Sequence, residues 1–167
     1  MSTIFDTGEE TRIDRIVMWK NATRMFLDNP IFGVGPGNLP WNISRYELED
    51  DQRRSFAGRA VHSVYFTLFP EWGIVGTALF IALAWHVVRE LFRLKREGNS
   101  EIARGMARAT LCAGVGFGAA GAFVSVLYYP YLFKFVALTI TAGNIASLEQ
   151  AALAEAGDEA VEVDAGG

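Results

Sequence analysis

Three places in the chain hold groups with chemical potential: the pair His62-Ser63, the arginines Arg12 and Arg15, and the run Gly33-Val34-Gly35-Pro36-Gly37. An imidazole titrates near neutral pH and can accept a proton. A guanidinium is a permanent, forked cation matched to phosphate or carboxylate. Glycines let backbone approach a ligand closely. Each group also has a plainer reading: a lone histidine that holds a loop, arginines that sit in water, and glycines that make a tight turn. His86 is the only other histidine and lies one apolar segment away, and Cys112 is the only cysteine. The sequence therefore predicts no metal site, no disulfide framework and no cofactor.

The glycine run departs from the known phosphate fingerprints. The third glycine of a dinucleotide motif would fall at Asn38, and no Gly-Lys-Ser/Thr follows for a nucleotide-binding loop. A structural turn over 30–38 is the expectation, with Gly33, Gly35 and Gly37 as its flexible points.

The elements that must position these groups follow from pattern. Thr11-x-x-Asp14 resembles a capping box and predicts a helix over about 12–28, stopped at Asn29-Pro30. At a 3.6-residue period Arg12, Arg15, Trp19, Ala22 and Phe26 share a face, and Arg24 points to the other side. Residues 39–60 mix acids, bases and aromatics without a period and read as a charged loop with one short helix.

The chain has 167 residues, 51% of them hydrophobic, with a mean hydropathy of +0.20. That mixture is too apolar for an ordinary soluble domain and too polar for a pure membrane bundle. The net charge of −4 is produced by the tail 149–167, which holds six acids and no base. Elsewhere bases slightly outnumber acids, and no basic stripe is interleaved with aromatics, so nucleic acid is not expected as a partner. Three apolar segments, about 72–93, 107–130 and 131–148, predict transmembrane helices, the third being the shortest. Gly114-x-x-x-Gly118 and Gly121 supply small residues for helix packing. His86 is placed to pair with Glu90 one turn on. Arg89, Arg93, Lys95, Arg96, Arg104 and Arg108 mark the loop 94–106 as cytoplasmic, which puts residues 1–71 outside. The fold class is thus an all-α membrane protein: an extracytoplasmic helical loop region, two or three transmembrane helices, and a disordered acidic tail at 149–167.

In order along the chain stand Arg15-x-x-x-Trp19, the Pro30-x-x-Gly33-x-Gly35-x-Gly37 turn, His62-Ser63 and Glu71-x-Gly73-x-x-Gly76. Together they resemble the C-terminal part of the O-antigen ligase and polymerase superfamily. The resemblance implies a multi-pass glycosyltransferase of the bacterial inner membrane, acting in surface polysaccharide (lipopolysaccharide) synthesis. Its donor would be an undecaprenyl-diphosphate-linked glycan and its acceptor a glycan or lipid A-core hydroxyl at the bilayer surface. It implies that His62 is the catalytic base and that Arg15, with Arg12, binds the donor diphosphate. Family members have many more membrane helices, and a second donor-binding arginine from their N-terminal half has no counterpart here, so a C-terminal fragment is expected. The alternatives are a non-catalytic membrane scaffold or partner subunit of a glycan-assembly system, and half of a transporter. The transporter would call for intramembrane charges along a pathway, and only Lys134, near a segment end, is visible.

Overall fold

The computed structural model describes residues 3–47, 56–98, 100–124 and 127–165, with side chains described except at 3–11, 97 and 158–165. Part of the expected charged loop, residues 48–55, lies outside the described residues. The order is α1 (Thr3–Asp28), α2 (Leu39–Asn42), a 3₁₀ turn (Ile43–Tyr46), α3 (Val64–Glu97), α4 (Glu101–Gly121) and α5 (Tyr131–Ala165), with no strand among the described residues. It is an all-α membrane protein. Two helical stretches are long and apolar enough to cross a bilayer, Val64–Arg96 and Tyr131–Gly157.

The chain forms two compact units, one of residues 1–81 with 118–129, the other of 82–117 with 130–167. In the first, α1 buries Met18, Ala22 and Met25 against Leu39, Ile43, Phe56 and Val61. Trp19, Val34, Tyr46 and Phe66 pack around this core. The buried stripe of α1 lies beside the expected one, so Arg15, Trp19 and Phe26 are half-buried at its edge. The helix ends where Pro30 requires: the Asn29 N–H is shared between the carbonyls of Met25 and Phe26, both at 3.1 Å. It begins at Thr3 rather than near residue 12, because Gly8 alone weakens a helix without stopping it and no proline intervenes.

In the second unit Val87, Leu91 and Leu94 of α3 meet Ala103 and Ala107 of α4 and Ala142 and Ala146 of α5. Each alanine pair is spaced four residues apart, which lets helix backbones approach along one stripe. Ser100 caps α4 by accepting the Ala103 N–H at 3.1 Å. Phe117 closes this unit against Tyr131 and Phe135, with ring centroids at 5.4 and 5.8 Å.

Three expectations need correction. The apolar segment at 107–130 is not one helix: α4 stops at Gly121, where the chain turns through Ala122 and Phe123. The tail is not irregular, since α5 runs on to Ala165. Alanine, glutamate and glutamine dominate 149–156, and their high helix propensity carries the helix forward although 151–157 are exposed. Glu90 takes hydrogen bonds from the Arg93 Nε, at 3.1 and 3.0 Å, with His86 an electrostatic neighbour one turn back. Finally, Gly114 faces open space, whereas Gly118 and Gly121 abut Tyr65 and Val64 at the start of α3.

Candidate active site

The glycine turn is held by a break in α3. Gly73 has φ 60° and ψ −167°, so the N–H groups of Ile74 and Val75 cannot reach the carbonyls of Pro70 and Glu71, their ordinary helical partners. All four groups are paired with the turn instead. Val34 N–H donates to the Pro70 carbonyl at 2.8 Å and Gly35 N–H to that of Glu71 at 2.9 Å. In return Ile74 N–H donates to the Pro30 carbonyl at 2.8 Å and Val75 N–H to that of Ile31 at 3.2 Å. Two lost helical bonds become four, and the break leaves none of these groups unpaired.

The backbones cross too closely for any side chain. A Cβ on Gly33, at φ +68°, would lie 2.5 Å from the Pro70 and Glu71 carbonyl oxygens, and one on Gly73 would lie 2.3 Å from the Ile31 oxygen. Gly33 and Gly73 are thus the two halves of one crossing.

Glu71, 1% exposed, completes the join. Its carboxylate accepts the Leu39 N–H at 2.9 Å, the Gly37 N–H at 3.0 Å and the Tyr128 hydroxyl. The Tyr128 oxygen in turn accepts from Gly37 N–H at 2.9 Å and from Trp72 Nε1 at 3.2 Å. Burial first, then the bond to Glu71, pushes the Tyr128 phenol up to about 12, so it stays a neutral donor. The N–H groups of Gly33, Val34, Gly35, Gly37, Asn38 and Leu39 all donate within the protein. The run is therefore an internally satisfied turn whose N–H groups at Gly37 and Leu39 are taken by the Glu71 carboxylate.

His62 stands immediately before α3. Its φ is 51°, the left-handed region that a non-glycine residue adopts only under local constraint. Val61 on one side is 2% exposed and Ser63 on the other 1%, while His62 itself is exposed. Ser63 is the N-cap: its hydroxyl accepts the Phe66 N–H at 3.4 Å and its carbonyl the Thr67 N–H at 3.1 Å. The two buried neighbours force the bend and turn His62 outward.

The loop before His62 lies along α1. Trp19 Nε1 donates to the Val61 carbonyl at 3.2 Å, and the Trp19 ring stacks on Phe66 at 4.8 Å. Arg59 pairs with Asp14 at 3.3 Å. Arg15 stands one helical turn before Trp19, on the Trp19 flank of α1. Its Nε is buried, with no hydrogen-bond partner among the described residues. Arg12 is exposed, a further turn along. Arg24 belongs elsewhere, bonding Asn21 Oδ1 at 2.8 Å and the Tyr46 carbonyl at 3.4 Å.

Sequence reasoning missed Glu71 and Tyr128 as organisers of the turn and Ser63 as a cap. A carboxylate at the start of an apolar segment is a signal in itself, since it must find donors there.

Residues 2–81 match the family model of the O-antigen ligases. The matched span takes in α1, the glycine turn, the His62 loop and α3 as far as Ile81, which are the parts that carry the motifs. No curated protein and no solved structure matches the chain.

Proposed function

We propose that the O-antigen ligase region of this chain serves transfer of a glycan from undecaprenyl diphosphate to an acceptor hydroxyl of a lipid A-core or growing glycan. The setting is the bacterial inner membrane, with residues 1–71 on the outer side and the 94–106 connection in the cytoplasm, as the basic residues around that connection suggest. The observation that carries the reading is the seating of the His62 loop on the Arg15 flank of α1 through Trp19 to Val61 and Asp14 to Arg59.

In this reading the acceptor oxygen attacks the anomeric carbon as its proton passes to the His62 imidazole. The bond from that carbon to the phosphate oxygen breaks, and its electron pair leaves with undecaprenyl diphosphate. Arg15, with Arg12 beyond it, meets the growing negative charge with fixed cations. The unpaired Arg15 Nε supports this role, because a buried guanidinium nitrogen lacking an acceptor gains most from an arriving anion.

Substitution by glycine separates chemistry from folding at this position. His62→Gly relieves the left-handed strain and removes the imidazole, so in membranes carrying the protein its abundance should hold. Turnover with a lipid-diphosphate-linked glycan should fall by about 10²–10⁴-fold, the usual worth of a positioned acid-base group. A His62→Gly protein that transfers glycan normally would overturn the assignment and favour the non-catalytic scaffold.

A further inference from the structure

We propose that the tip of the glycine turn, Pro30-Ile31-Phe32, is seated in the boundary zone of the lipid bilayer beside α3, with its two large side chains among the acyl chains. Phe32 is 74% exposed and Ile31 58%, although both are large and apolar and stand on a turn whose inner limb is fully bonded. Their neighbours on α3, Ile74 and Val75, are exposed as well.

The backbone bonds set the level. Ile74 and Val75 donate to the carbonyls of Pro30 and Ile31, so the tip lies at the same height as the first turn of α3 beyond the break. Ile74 and Val75 belong to the stretch Val64–Arg96, which is long and apolar enough to cross a bilayer, so Ile31 and Phe32 stand beside the surface that this stretch presents. The exposed side chains thus continue the lipid-facing surface of a spanning helix. In water the same pair would leave two large apolar side chains unburied on a turn held by main-chain bonds.

The proposal is independent of the transfer chemistry and is read directly. In a Cys112→Ser background, single nitroxide labels at Phe32→Cys and Ile31→Cys are compared, after reconstitution in phosphatidylethanolamine-phosphatidylglycerol vesicles, with labels at Leu79→Cys and Ala60→Cys. Collision with oxygen reports lipid, and collision with a water-soluble nickel chelate reports water. At residues 31 and 32 oxygen access should rise and nickel access fall to the values of Leu79. Nickel access like that of Ala60 would place the tip in water, and loss of both would place it against protein; either result overturns the proposal.

Discussion

Replacing Gly33 by alanine isolates the backbone crossing, because the cost divides into two parts that other glycines carry separately. At φ +68° an alanine pays about 1–2 kcal/mol for the left-handed conformation. Its Cβ would also stand 2.5 Å from the Pro70 and Glu71 carbonyl oxygens, where backbone must yield rather than a flexible side chain. Overpacking of that kind costs a further 1–3 kcal/mol or so, for a total of about 2–5 kcal/mol. Gly37 is the control. Its φ is +76° but nothing lies within 4 Å of its Cβ position, so Gly37→Ala should cost only the conformational part. Gly114, in open space within α4, should accept alanine with no loss or a gain of up to about 1 kcal/mol. Thermal unfolding of the purified protein in detergent, followed by circular dichroism and tryptophan fluorescence, orders the three. Gly73→Ala should behave like Gly33→Ala, and the double variant should cost less than the two singles added, since one opened crossing relieves both clashes. Equal losses at Gly33 and Gly37 would refute the close approach on which the description of the turn rests.

Tyr128 should give the alkaline limb of stability. Its phenol is raised from 10.0 to about 12, so the fold favours the neutral form; the contribution is whole below pH 10 and is lost as pH rises toward 12. The stability advantage of wild type over Tyr128→Phe should therefore shrink across that window, and an advantage independent of pH would discard the Glu71 bond as its source. For sidedness, a membrane-impermeant thiol reagent applied to intact cells should reach Ala60→Cys and not Glu101→Cys, and the reverse pattern would invert the proposed topology. Arg15→Lys keeps the charge and loses the fork, so donor use should weaken while abundance holds. Arg24→Lys should do the opposite, losing stability through its bonds to Asn21 and Tyr46 with turnover per folded molecule unchanged. The same kinetic defect at both positions would remove the reason for separating them.

Much of the site was legible because its signals are local. Pro30 keeps Asn29 out of the helical region, so α1 ends at Asp28, and the three glycines of the turn all take the positive φ that glycine permits. The four-residue step from Arg15 to Trp19 placed both on one flank without any knowledge of what they meet. What the flank meets was not legible, for the Trp19 partner is a main-chain carbonyl at Val61, 42 residues away, and a carbonyl leaves no mark in a sequence. The same limit hid the crossing. Glu71-Trp72-Gly73 reads as a helix start, whereas the helix starts at the Ser63 cap and Gly73 interrupts it. The far helix boundaries were missed for another reason: hydropathy marks what is apolar, and neither the end of α4 at Gly121 nor the extension of α5 beyond Leu148 depends on hydropathy.

The crossing also explains how a broken helix is tolerated next to an apolar layer. Unpaired peptide groups are expensive there, and a bend is ordinarily repaired by side chains or water. Here the repair is the turn itself: it supplies two carbonyls for Ile74 and Val75 and two N–H groups for Pro70 and Glu71. No polar side chain is used for those four bonds. Glu71, the one buried carboxylate among the described residues, is committed to Gly37, Leu39 and Tyr128. The crossing itself is thus held by main-chain groups, and Glu71 joins the rest of the turn to it.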